Sequence, residues 1–229
     1  MFYVRALRVE LVSVSSPFKE AKLERFIAAC ARVCRSNNSL REVYDQLEES
    51  DVRRLVRGLY RAGHHSVFEH VVFTFWVEGI SRACSHQLVR HRIASYSQRS
   101  QRHTRVDSFV APERIMASPE ASKIYKEALK HCINTYRQLL SLGIPLEDAR
   151  FVLPQASETG IVVTMNLREL LHFFRLRLAP EAQWEIREVA RRMFNLVKPY
   201  VPTVIQEFKS DTGYRIEEVE EFDIERFRP

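Results

Sequence analysis

Between Arg90 and Arg102 the chain reads Arg-His-Arg-Ile-Ala-Ser-Tyr-Ser-Gln-Arg-Ser-Gln-Arg: four arginines, a histidine, three serines and two glutamines, with no acid among them. A solvated helix interleaves Glu or Asp with its arginines at i,i+4, and this segment does not. Its positive charge therefore awaits an anion from outside. Arginine is the planar, bidentate ligand for phosphate, and neighbouring hydroxyls and amides add orienting hydrogen bonds. A plain basic loop competes with that reading while the segment is taken alone, so the other polar clusters must decide.

Three such clusters exist. Gly63-His-His-Ser-Val-Phe-Glu-His70 precedes an apolar run. His65 and Glu69 have helical i,i+4 spacing, which would suit zinc, but the metalloprotease pattern is absent and no third ligand can be chosen; a polar patch at the lip of a pocket is the preferred reading and no metal is expected. Arg82, His86 and Arg90 then fall on one face of a helix, with Gln87 and His91 on the next. Last, Asn166-Leu-Arg168 opens a helix on which Arg168, His172 and Arg175 share a face while Leu170, Leu171 and Phe174 serve the core; Arg177 follows. The six glycines (58, 63, 79, 143, 160 and 213) are isolated, so neither a Rossmann fingerprint nor a P-loop is possible, and any bound nucleotide must be held by arginines and helix ends.

At 229 residues the chain can bury a sizeable core as one domain. A formal net charge of +6, rich in clustered arginine, suits phosphate-bearing small molecules as well as nucleic acid. The longest apolar run, Val71-Val-Phe-Thr-Phe-Trp-Val77, is too short to span a bilayer, and no basic region leads into an apolar stretch at the N-terminus, so a cytoplasmic location without membrane contact is expected. The cysteines at 30, 34, 84 and 132 read as buried small hydrophobes rather than a metal or disulfide framework.

These residues need elements to hold them. Alternation over 5–13 predicts a strand, and an apolar stripe over 19–35 predicts a helix broken by the polar residues 35–39. Asp51 is expected to cap a helix that stops near Gly63, and Val71–Val77 to form a strand buried on both faces. A helix is expected from Ser81 to about Arg92, another over 122–142, and a short strand over 160–164. Asn166 then caps a helix with Glu169 at the capping-box position, and a last long helix carries Trp184, Val189, Met193, Phe194 and Val197 and ends near Pro199. The acidic run 217–221 reads as a solvated tail. The expected architecture is α+β: a helix-rich single domain, 1–229, around a central mixed or antiparallel sheet.

In this order, the clusters resemble the flavin-dependent thymidylate synthases. That family's signature is Arg-His-Arg, seven variable residues, then Ser; here Arg90-His91-Arg92 is followed by 93–99 and Ser100. Gly63-His64 through Phe68-Glu-His70 resembles its upstream block, Ala149-Arg150-Phe-Val-Leu-Pro154 its arginine-bearing helix, and Asn166-Leu-Arg168 through Arg177 and on to Ala182-Gln-Trp-Glu-Ile186 its C-terminal block. The motif-bearing core covers about 63–186.

The resemblance implies reductive methylation of dUMP to dTMP, with 5,10-methylenetetrahydrofolate as one-carbon donor and FAD, reduced by NADPH, as hydride carrier. It also implies a homotetramer with shared active sites and a flavin site unlike a Rossmann fold. Ser66, Glu69, Arg90, His91, Arg92, Gln98, Asn166, Arg168 and His172 fall at or beside the flavin. Gln87, Arg90, Gln98, Arg99, Ser100, Gln101, Arg102, Arg150 and Arg177 fall at dUMP, and Arg177 is the implied catalytic residue. It would stabilise negative charge developing at uracil N3 and its flanking carbonyl oxygens, which uracil C5 needs to become nucleophilic. Cys84 has no context matching the cysteine nucleophile of the classical synthases, and Ser100 has no evident base beside it, so binding or polarising the substrate is its preferred role.

The chain departs from one common form of the motif at Ser97 and Gln98, where Asn and Glu stand, and at His172, where some members have Asn. Gln98 cannot serve as an acid or base. Two other classes compete: a nucleic-acid-binding module using 90–105 as a basic arm, and a metal-dependent hydrolase built on His64, His65, Glu69 and His70. Neither accounts for the blocks at 149–154 and 166–186, and no nucleic-acid partner is expected.

Overall fold

The computed structural model describes residues 6–15, 18 and 22–216; the acidic run 217–221 lies outside them. In chain order the elements are β1 (Arg8–Val14), α1 (Leu23–Val33), α2 (Leu40–Gln46), α3 (Glu49–Arg61), a 3-10 turn (His65–His70), β2 (Val72–Ser81), α4 (Arg82–Leu88), β3 (Ala94–Gln98), α5 (Glu113–Met116), α6 (Pro119–Ser141), α7 (Leu146–Ala149), a second 3-10 turn (Arg150–Val152), β4 (Glu158–Asn166), α8 (Leu167–Arg177), α9 (Trp184–Val197) and α10 (Pro202–Thr212). The strands form one antiparallel sheet in the order β1-β2-β4-β3, so the architecture is α+β. No described helix is long and apolar enough to cross a membrane.

Two compact units divide the chain. One comprises Met1–Arg8, Val77–Arg90 and Tyr96–Val162; the other Val9–Trp76, His91–Ser95 and Val163–Pro229. The first has a core of Val106, Phe109, Leu129, Ile133, Tyr136 and Ala149. Three of these lie on α6, which starts where Ser118 caps it and Pro119 takes the first helical position. Gly79 in the same unit has φ of +73°, and a Cβ there would lie 2.4 Å from the carbonyl oxygen of Ala6, so only glycine fits this close backbone approach.

The second unit buries the inner faces of α8 and α9. Leu167, Leu170, Phe173 and Phe174 on α8 and Ile186, Val189, Met193 and Phe194 on α9 are buried, with Phe174 edge-on to Phe194 where the helices pack, while Arg168, His172 and Arg175 stay exposed. Fully burying one such apolar side chain is worth about 1.5–3 kcal/mol, enough to fix which face turns inward. α10 begins at Pro202, and its free N–H groups at Thr203 and Val204 are met by the buried Glu24 carboxylate from α1, at 2.6 and 3.0 Å.

Several expectations need correction. β2 is not buried on both faces: Phe73, Phe75 and Val77 are buried, but Val72, Thr74 and Trp76 between them are half-covered. Thr74 and Thr164 on the half-covered side exchange a hydroxyl hydrogen bond of 3.0 Å. α4 ends at Leu88, so Arg90, His91 and Arg92 stand beyond it and Arg90 does not continue the face of Arg82 and His86. Asp51 sits in the first turn of α3, where it complements the helix dipole, and Glu48 occupies the cap position. α2 and α10 fall where no helix was expected.

Candidate active site

In the first unit, α4 delivers Gln87, the turn after it Arg90, and the end of β3 delivers Gln98, Arg99, Ser100, Gln101 and Arg102. The strand is anchored by Arg99, whose N–H donates to the Gly160 carbonyl at 2.9 Å. Gln98 is held through its side-chain amide, which donates to Ser85 Oγ at 2.8 Å and to Thr159 Oγ1 at 3.3 Å. Ser100 opens a tight turn: its hydroxyl accepts from the Arg102 N–H at 3.2 Å, and its carbonyl accepts from Thr104. Arg102 pairs with the Glu147 carboxylate through Nε at 2.9 Å and Nη2 at 2.8 Å, and the backbone carbonyl of Glu147 accepts from Arg150 Nε at 3.0 Å. One residue on α7 thus orients both arginines.

A further cation went unassigned in the sequence. Arg82 opens α4, half-buried, and its pKa is lowered by burial and then by the charge of Arg150 beside it. The two guanidinium groups repel one another and neither forms an ion pair among the described residues, so both charges are open to an anion. Arg82 was legible only as a cationic helix position; its proximity to Arg150, 68 positions later, had no local signal.

The second unit carries Ser66, Glu69, His91, Arg92, Asn166, Arg168, His172 and Arg177, and it joins Glu69 to Arg168 and His91 to Arg177 and His172. Ser66 and Glu69 are exposed on the 3-10 turn, and Glu69 accepts from Arg168 at 2.5 Å. Asn166 ends β4 and caps α8, its Oδ1 accepting from the Glu169 N–H at 2.9 Å. The Glu169 side chain does not complete a capping box; it turns inward, 6% exposed, and places Oε1 3.4 Å from Nδ1 of His91. His91 is itself 4% exposed, with Phe173 edge-on at 4.9 Å and His172 at 5.8 Å between ring centres. Its Nε2 accepts from Arg177 Nε at 3.1 Å. Burial, then the charges of Arg177 and His172, push the imidazole pKa down to about 4, so the ring is neutral at pH 7. Burial raises the Glu169 carboxyl above its ordinary value, against a smaller opposing effect of His172.

The chemistry of this donor set suits the flavin nucleotide that the resemblance implies. Ser66, Arg92 and His172 are exposed hydroxyl, guanidinium and imidazole groups, and Arg92 forms no ion pair among the described residues, so its charge is available to a diphosphate. The histidines of the upstream block have other occupations. His65 Nε2 lies in hydrogen-bond contact with the Tyr60 carbonyl at 3.1 Å, and its ring packs between Tyr60 and Phe68. His70 meets Phe26 edge-on. Among the described residues, no three His, Cys, Asp or Glu side chains gather as a metal site.

The fold is similar to that of PolB from Streptomyces cacaoi, a UMP/dUMP methylase whose crystal structure is bound with 5-Br dUMP; the TM-score is 0.82 at 26% identity, covering 92% of this chain and 97% of that one. Residues 18–203 match the family model described as thymidylate synthase complementing protein, and the chain belongs to that family. It is 49% identical over 188 residues to the flavin-dependent thymidylate synthase of Geobacter sulfurreducens, covering 80% of this chain and 81% of that one. With the enzyme of the same name from Sulfolobus acidocaldarius it shares 42% identity over 205 residues, 87% of this chain and 76% of the relative.

Proposed function

We infer that the protein is an FAD-dependent thymidylate synthase, which methylates dUMP reductively to dTMP. The methylene group comes from 5,10-methylenetetrahydrofolate and the reducing equivalents from NADPH. The observation that carries this reading is the family match over residues 18–203, which contains the Arg90-His91-Arg92…Ser100 motif intact. In net terms the C5 hydrogen of uracil is replaced by the folate's one-carbon unit, and two electrons from NADPH bring that carbon to the methyl level. FAD, when bound, supplies the hydride chemistry between the two.

The chain's own residues bind, orient and polarise. Arg82, Arg102 and Arg150 hold the dUMP phosphate, with Ser100, Arg99 and Gln101 supplying further donors from the turn after β3; binding is thereby converted into orientation. Gln87, Arg90 and Gln98 complete the dUMP contacts. Arg177 directs its terminal nitrogens at the pyrimidine and stabilises charge developing at N3 and the flanking carbonyl oxygens. Ser66, Arg90, Arg92, Arg168 and His172 would hold the flavin nucleotide, and Glu69 and Asn166 fix Arg168 and the start of α8. The flavin site uses no glycine-rich loop and differs from a Rossmann site.

The whole chain, 1–229, serves this activity as one catalytic domain, in a cytoplasmic homotetramer whose subunits share active sites. An absorption spectrum of the purified protein, taken after adding FAD and removing the excess, tests the reading. A retained flavin band that shifts on addition of dUMP supports it; a folded protein that retains no flavin and gives no response to dUMP contradicts it.

A further inference from the structure

The side chain of His91 is spent inside the protein. Its Nε2 accepts the Nε–H of Arg177 at 3.1 Å, and a neutral imidazole nitrogen that accepts a hydrogen bond carries no proton. The ring proton therefore resides on Nδ1, which faces Glu169 Oε1 across 3.4 Å, an electrostatic contact rather than a hydrogen bond, through which the carboxyl favours that tautomer. Phe173 and His172 pack against the ring and hold its plane. A guanidinium held through Nε keeps its two Nη groups directed away from the anchor, ready for a planar ligand edge.

We infer that Glu169, acting through His91, is a positioning residue that aims the terminal edge of Arg177 at the pyrimidine, a role that rests on the reading of Arg177 given above. Glu169 sets which nitrogen of His91 is protonated, and His91 sets where Arg177 points. Neither touches substrate in this arrangement; the buried pair acts only through the arginine.

A double-mutant cycle read by dUMP affinity, measured calorimetrically on the FAD-loaded protein without turnover, tests this. Glu169→Ala is expected to weaken dUMP binding about fivefold to tenfold, as for one lost buried orienting contact. The same substitution in an Arg177→Ala background is expected to cost nothing further. Glu169→Gln, which keeps an Oε1 acceptor for the Nδ1 proton, is expected to restore affinity to about threefold of wild type or better. His91→Phe, run through the same cycle, guards against loss of fold in Glu169→Ala. Multiplicative losses in the double variants, or unchanged affinity in both Glu169→Ala and His91→Phe, overturn the inference while leaving the function standing. Failure of the wild type to bind dUMP would overturn the function and this inference together.

Discussion

Arg102 and Glu147 form a two-point contact on the surface, Nε and Nη2 of the arginine reaching the same carboxylate oxygen at 2.9 and 2.8 Å. Both side chains are about half exposed, so the pair contributes at most about 1 kcal/mol to stability. Its importance lies in ligand binding. Arg102→Ala is expected to weaken dUMP binding about tenfold to a hundredfold, as for a lost charge-assisted hydrogen bond, with thermal stability nearly unchanged. Glu147→Gln removes a carboxylate that competes with phosphate and is expected to tighten dUMP binding severalfold. Calorimetric titration of each variant checks both directions.

Arg82→Ala is expected to weaken dUMP binding by a similar factor, although it lies outside the Arg90–Ser100 motif. Removing a lone surface arginine would leave affinity unchanged. The same titration decides between these outcomes, and the loss should shrink as salt rises.

Arg177→Ala should leave flavin bound while lowering the rate of dTMP formation by about 10²–10³-fold, the usual cost of removing one preorganised donor to developing charge. Flavin absorbance and single-turnover kinetics on the same sample separate the two effects. Near-normal turnover would remove Arg177 from its assigned role.

His91 makes stability depend on pH. Its pKa is about 4 in the folded chain against an ordinary 6.5, so below pH 6.5 the unfolded chain takes up a proton that the folded ring refuses. The stabilising effect is complete above pH 6.5 and is lost as pH falls towards 4, by up to about 3 kcal/mol. Glu169, with its raised pKa, acts in the opposite sense, taking up its proton more readily when folded. The wild type is therefore compared with His91→Phe: urea midpoints from pH 7 to 4.5 should fall more steeply for the wild type, and parallel curves would contradict the assignment.

Gly79→Ala should destabilise the protein by more than about 1 kcal/mol, because φ of +73° disfavours a side chain and the new Cβ would meet the Ala6 carbonyl at 2.4 Å. Thermal unfolding checks it. An unchanged melting temperature would mean that the backbone at Ala6 moves aside freely.

Elements with strong local patterns were legible in the sequence. α6, α8 and α9 carry apolar stripes whose central residues are buried, and Asn166 caps α8 as its position indicates. What escaped reading depends on distant partners. α10 follows a proline-rich stretch that reads as a stop, yet Pro202 is a first-turn proline and the cap is Glu24, nearly the whole chain away. β3 has no apolar alternation; the Arg99–Gly160 backbone bond follows directly from its end. α2 is short and polar, although the Ser39–Glu42 capping box that starts it was present in the sequence. Within the candidate site, the motif named residue types but not the partners that hold them. It carried no sign that Glu169 would turn from the cap towards His91, or that Glu147 would reach Arg102, because those contacts span long stretches of chain.

The most direct measurement is formation of dTMP, followed by chromatography, when the purified protein is incubated with dUMP, 5,10-methylenetetrahydrofolate, NADPH and FAD, with each omitted in turn. The complete mixture is expected to yield dTMP, in proportion to the NADPH oxidised, with a sharp fall when dUMP, the folate or NADPH is left out, or when bound FAD is stripped and none is added. A folded, FAD-supplied protein that oxidises NADPH without forming dTMP, or forms dTMP at the same rate after FAD is stripped and withheld, would contradict it.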